Sequence, residues 1–199
     1  MRTLAIGDIH GCRTALDHLL ALVNPLPGET IISLGDYVDR GPDSKGVIDK
    51  LIEMRVAGQL IPLRGNHEFM MLGAKEGGAD SIRFWLACGG VPTLESYVPA
   101  GQIPLLEDIP ATHWHFIKHT CDDWYETDTH IFVHANLHPE RPLALDWPRV
   151  LTITSVPIPT FMLFMPGMSR SNSVVFVAAR FSMSSRVMWW PIPWRSVRP

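Results

Sequence analysis

Beyond Asp146 the sequence has no aspartate or glutamate, and beyond His138 it has no histidine. All 20 acidic residues and all nine histidines therefore precede residue 147, which confines carboxylate and imidazole chemistry to residues 1–146. Cysteine is scarce too: Cys12, Cys88 and Cys121 are odd in number and form no C-x-x-C pair, so neither a disulfide framework nor a zinc knuckle is indicated. A reducing cytoplasm fits that usage. No signal-peptide core is present, because the apolar run after Arg2 ends at Gly7 and Asp8. The most apolar later run, VLTITSVPIPTFMLFM, is broken by Pro157 and Pro159 and is too short to span a membrane. A net charge of only -3 argues against a nucleic-acid surface and against a polybasic membrane patch. That balance is uneven: residues 1–146 hold 11 basic against 20 acidic residues, whereas 147–199 hold six arginines and no Lys, Asp or Glu.

What is present is a chain of 199 residues, 46% apolar, enough to bury a core in one domain. Four short apolar runs each lead straight into a polar turn: TLAI into GDIHG, TIISL into GDYVDRGPDS, LIPL into RGNHE, and HIFV into HAN. Each run has strand length, and each turn begins where a strand would end. Leu16, Leu19, Leu20 and Val23 share one face of a helix between the first two runs. Val47, Leu51 and Met54 do the same between the second and third, with Asp43 or Ser44 as N-cap. This alternation predicts an α/β fold with its working loops along one sheet edge. The segment SIRFWLACGGVPTLESYVPAGQIP reads as a helix, a Gly-Gly break and a second short helix, and ATHWHFIKHTCDDWYE as a further helix. His113, His115 and His119 lie there with no acidic turn or glycine loop beside them, and are read as ordinary surface or core histidines.

The chemistry concentrates in the loops. Asp8 and His10 are two apart, so on an extended strand end both project to the same side. Asp36 follows its strand in the same way and can reach the same space, bridging two cations. Asn66 offers an amide oxygen, and His67 and His134 offer imidazoles. Carboxylate, imidazole and amide oxygen together suit manganese, iron or zinc. Glu68 reads as one end of a loop salt bridge to a neighbouring arginine, and Cys12 as a small helix-start residue.

GDIHG, GDYVDRG, RGNHE and VHA, in that order and after strands, resemble the phosphoprotein phosphatase branch of the calcineurin-like metallophosphoesterases, the serine/threonine protein phosphatases and their bacterial relatives. The resemblance covers about residues 3–145, including GGVPTLESY and IFVHANLHPERPL. It implies a β-sandwich flanked by helices, with Asp8, His10 and Asp36 at one divalent metal and Asp36, Asn66 and His134 at a second. Manganese is the first expectation, iron and zinc the alternatives. The metals would acidify a shared water and clamp the phosphoryl oxygens. His67 would protonate the leaving alkoxide, Asp39 would orient its imidazole, and Arg40 and Arg64 would neutralise the phosphoryl group. The implied activity is hydrolysis of phosphomonoesters, on a phosphorylated protein or a small phosphoester, with no nucleic acid or membrane as partner. Two alternatives stay open. One is a diadenosine tetraphosphatase-like nucleotide hydrolase; the other is a catalytically impaired metal- or phosphate-binding module.

The second alternative arises because the family pattern needs a further second-metal histidine in a Gly-His-Thr type loop beyond VHA, and this sequence has none. His138, followed by Pro139, reads as a loop residue that caps or solvates. We therefore expect a metallophosphoesterase domain at 1–146, incomplete at its C-terminal side. Residues 147–199 are expected to be a divergent or frameshifted tail, with the C-terminal strands missing or replaced. A stretch of this length without one acid is improbable in a globular continuation.

Overall fold

The computed structural model describes residues 2–128 and 130–135, together with the backbone of 162–164 and 174–177. Strand β1 (Thr3–Ile6) pairs in parallel with β2 (Thr30–Ser33), and β2 with β3 (Leu60–Pro62). A second sheet is antiparallel, with β4 (Trp124–Glu126) against β5 (His130–Val133). Two segments of the basic tail join these sheets: β6 (Met162–Phe164) pairs with β5, and β7 (Val174–Val177) lies parallel to β1. The orders are β3-β2-β1-β7 and β4-β5-β6. The expectation of missing or replaced C-terminal strands falls mostly on residues outside those described, and so do His138 and the rest of the tail.

The period-two pattern of the strands explains why two layers form. Leu4, Ile6, Ile31 and Leu60 point to a core shared with the helices. Their neighbours Ala5, Ile32 and Ile61 point the other way, onto Phe132 of β5 and Tyr125 of β4. The β-sandwich and its helical cover thus follow from alternate residues of the same strands.

Helix α1 (Arg13–Val23) buries Leu16 and Leu19 and stops at Asn24, whose left-handed φ of 43° lets its N–H reach Leu20 O. Helix α2 (Ser44–Val56) starts at Asp43, whose side chain accepts the Gly46 N–H at 2.8 Å. Helix α3 (Asn66–Glu76) follows β3 after a short loop. Next come α4 (Ala79–Trp85), a wide turn over Leu86–Gly90, and α5 (Val91–Glu95), so the expected Gly-Gly break is a kink within one continuous helical path. Helix α6 (Ala111–His115) runs on through Phe116–Thr120. Residues Trp124–Glu126, read from sequence as the end of that helix, form β4 instead; Leu63 bridges Asp122, which turns the chain into the second sheet.

His113 is buried and structural. It bonds Tyr97 Oη at 2.9 Å and Asp49 at 2.9 Å, tying α6 to α2. His115 and His119 pair with each other, their ring centroids 5.2 Å apart. No helix among the described residues is long and apolar enough to cross a membrane.

Candidate metal centre

The loops after β1, β2, β3 and β5 meet at the carboxyl edge of the parallel strands, where α/β sheets place their ligands. The close approach depends on glycine. A Cβ on Gly41 would lie 2.0 Å from His10 O, and one on Gly65 would lie 2.2 Å from Asp36 Oδ1. Strain gathers in the same place: His10, Asp36, Asp39 and Arg40 have φ of 45°, 54°, 72° and 69°. Non-glycine residues avoid that region unless their surroundings hold them there.

Glu68 is one such restraint. It is fully buried, and its Oε1 accepts Tyr37 N at 2.7 Å and Val38 N at 3.3 Å. Its Oε2 accepts Asp36 N and Gly65 N, both at 2.8 Å. The expected salt bridge to an arginine is therefore replaced by four backbone amides, because the carboxylate points inward beneath two loops. Burial and the Asp36 charge push its carboxyl up to about 7, against the pull of those amides.

Asp36 is the hub. Its Oδ1 accepts His67 N at 3.1 Å, placing the carboxylate at the N-terminus of α3, where the helix dipole favours an anion. His10 Nε2 lies 3.7 Å from Oδ2 and His134 Nε2 lies 3.3 Å from Oδ1. Burial pushes the Asp36 carboxyl up, but the neighbouring histidines prevail and hold it well below the usual carboxylate range.

Each imidazole has its far nitrogen fixed by the protein. His10 Nδ1 donates to Val38 O at 2.8 Å and His134 Nδ1 to Leu34 O at 2.8 Å, which turns both Nε2 atoms towards Asp36. Burial holds His10 below its ordinary pKa, against the pull of the Asp36 charge and the Val38 carbonyl. Burial also opposes charge on His134, but Asp36 and Asp8 prevail and raise it to about 9. His134 Nε2 then donates to Asn66 Oδ1 at 3.0 Å.

Two groups of donor atoms result, each with all its atoms within 4.8 Å of one another: His10, Asp36 and His67, and Asp8, Asp36 and His134. Asp36 belongs to both. The sequence-based grouping differs in placing Asp8 beside His10, whereas here Asp8 groups with His134 and His67 with His10. Two carboxylates, imidazoles and the Asn66 amide oxygen form a donor set that fits divalent first-row cations.

His67 is tied to a second anion. Its Nδ1 donates to Asp39 Oδ2 at 2.7 Å, and both residues are buried. Burial lowers the His67 pKa, but the Asp39 hydrogen bond and the Asp36 and Asp39 charges prevail and raise it overall. Arg40 is exposed and spans the two imidazoles, Nη1 at 2.8 Å from His10 Nε2 and Nη2 at 2.9 Å from His67 Nε2. Arg64 is not brought to this site. Its guanidinium donates to Ile117 O, Lys118 O, Cys121 O and Asp123, closing the end of the α6 path, and lies over the Phe69 ring.

A sandwich of these two sheets, with carboxylates and imidazoles meeting at the strand ends, is the architecture of a metallophosphoesterase. The chain belongs to the calcineurin-like phosphoesterase family, whose sequence model matches residues 1–156. It is 38% identical over 78 residues to the "Bis(5'-nucleosyl)-tetraphosphatase, symmetrical" of Acidovorax sp. (strain JS42), covering 39% of this chain and 27% of that protein. It is 38% identical over 86 residues to "Serine/threonine-protein phosphatase 1" of Salmonella typhimurium, covering 43% of this chain and 37% of that protein. The matches thus span well under half the length of these relatives. In fold the chain is similar to a solved structure provisionally assigned as a diadenosine tetraphosphatase, with a TM-score of 0.52 at 22% identity over 82% of this chain and 68% of the other.

Proposed function

We propose that the chain is a metal-dependent phosphomonoesterase of the serine/threonine protein phosphatase type. The observation that supports it best is the buried Asp39–His67 hydrogen bond of 2.7 Å beside donor groups that share Asp36. Asp8, His10, Asp36, Asn66 and His134 would hold two divalent cations, manganese first, with iron or zinc as alternatives. Such ions, when bound, supply Lewis acidity towards the phosphoryl oxygens and acidify water.

The remaining work falls to the protein. Arg40, exposed and carrying a planar guanidinium, receives the phosphoryl oxygens and leaves the imidazoles as it does so. His67 Nε2, freed by that movement, gives its proton to the leaving alkoxide. Asp39 holds the opposite nitrogen and favours the imidazolium. Free Cys12, Cys88 and Cys121 accord with residence in a reducing cytoplasm.

A second reading, a dinucleotide polyphosphate hydrolase, is favoured by relatives that carry that name. Turnover of a phosphoserine peptide, p-nitrophenyl phosphate and diadenosine tetraphosphate with manganese separates the two. Faster phosphomonoester turnover supports the proposal, and faster dinucleotide turnover favours the second reading. Stoichiometric metal binding with no turnover would leave a binding module.

A further inference from the structure

We propose that Trp85 and Thr93 are positioning residues that clamp the Asp39 carboxylate, so that it aims the His67 imidazole at the leaving oxygen. This rests on the reading of His67 as the proton donor. Asp39 is fully buried and sits at a φ of 72°, so neither water nor relaxed backbone holds it in place. Trp85 Nε1 lies 3.0 Å from both of its oxygens, and Thr93 Oγ1 donates to Oδ1 at 2.8 Å. With His67 Nδ1 on Oδ2, these contacts occupy the carboxylate's acceptor sites.

Thr93 grips the residue twice, since its hydroxyl also accepts Asp39 N at 2.7 Å and is 2.9 Å from Ser44 Oγ. Trp85 is part of the apolar core, but packing alone makes no use of its N–H, which is directed at the carboxylate. The two residues come from α4 and α5, and the turn between them is itself fastened to the site by Arg40 N on Gly89 O at 2.9 Å. The segment 79–95 thus supplies the frame within which the pair is held. With those donors removed, the Asp39 carboxylate keeps only the His67 bond and can rotate about its terminal torsion, which is broad for a carboxylate. The imidazole then loses its aim.

The consequence is confined to proton delivery. In the step, water oxygen forms the new P–O bond and its proton passes to solvent; the ester P–O bond breaks, its electron pair stays on the leaving oxygen, and that oxygen takes the proton from His67 Nε2. A 2,4-dinitrophenolate leaves without help, whereas a phenolate of high pKa needs the proton.

The experiment uses the full chain loaded with manganese, with the variants Trp85→Phe, Thr93→Val and Thr93→Ser assayed on phenyl phosphate and 2,4-dinitrophenyl phosphate. Trp85→Phe and Thr93→Val are expected to lower kcat on phenyl phosphate by about 10–100-fold, the range found for partners that orient a functional ligand. The dinitrophenyl ester should change by less than about threefold, with KM unchanged and Thr93→Ser restoring the parent rate. Equal losses on both esters, or none, overturn the proposal.

A metal-free readout decides it independently. The His67 Nδ1 proton should give a low-field resonance in histidine-labelled protein that is present in the parent and Thr93→Ser and lost in Trp85→Phe and Thr93→Val. Its survival in both overturns the clamp. If the parent turns over neither ester while the resonance responds as expected, the clamp stands and the phosphoesterase reading falls.

Discussion

Replacing Glu68 by glutamine changes one oxygen to an NH2 at a position where four backbone amides all donate. The remaining oxygen can serve only two of them. The other two become buried donors facing a donor, at about 1–3 kcal/mol each, or about 2–6 kcal/mol together. Part of this is offset, because a neutral amide escapes the burial and Asp36 repulsion that push the carboxyl up to about 7. We therefore expect Glu68→Gln to destabilise the fold by about 2–3 kcal/mol, the lower part of that range. Urea unfolding followed by tryptophan fluorescence measures this directly, with the midpoint lowered and the slope unchanged. A variant as stable as the parent would show that the amides find other acceptors and that Glu68 does not hold the Asp36 and Gly65 loops together.

Three further predictions concern the site and the fold. His67→Asn should lower turnover by about 10²–10⁴-fold while metal content, measured by elemental analysis, stays close to that of the parent. Asp8→Asn should lower both turnover and metal content, and equal turnover in it would remove Asp8 from the site. For pH, Glu29 accepts Arg2 Nε and Nη2 at 2.6 and 2.7 Å, and its carboxyl is lowered from 4.5 to about 2 chiefly by that side-chain bond. A folded-state pKa below the unfolded one means that this contribution is present above pH 4.5 and is lost as pH falls through about 2. Urea midpoints of Glu29→Gln should accordingly depend less on pH across that window than those of the parent.

Local pattern made much of this molecule legible. β1, β2, β3 and β5 stand where TLAI, TIISL, LIPL and HIFV place them; α1 buries Leu16 and Leu19 and packs Leu20 and Val23, half-buried, against the core, and α2 buries Val47, Leu51 and Met54. Asp8, His10, Asp36, Asn66, His67 and His134 stand out as candidates in the sequence because each lies in a short turn directly after a strand, or opens the helix that follows. What stayed hidden depends on contacts between distant segments. Arg64 looks like a phosphate ligand beside Asn66, yet its donors meet carbonyls more than 50 residues later, at a helix end that no spacing reveals. Trp85 and Thr93 read only as parts of the two short helices around the Gly-Gly break, since nothing local shows that both face Asp39. Tyr125 in WYE continues an apparently helical stretch, and only its packing on Phe132 across the second sheet makes it a strand residue.

In the proposed function Asp36 is shared by two divalent-cation sites, completed by Asp8, His10, Asn66 and His134, with His67 left free to deliver a proton. The most direct test is to equilibrate the parent and Asp36→Asn with manganese and measure bound metal together with p-nitrophenyl phosphate turnover in the same samples. On that reading the parent binds manganese and hydrolyses the ester, chelation abolishes the hydrolysis, and Asp36→Asn does neither while unfolding cooperatively. A parent that binds no manganese, or an Asp36→Asn that binds as much and turns over as fast, would contradict it.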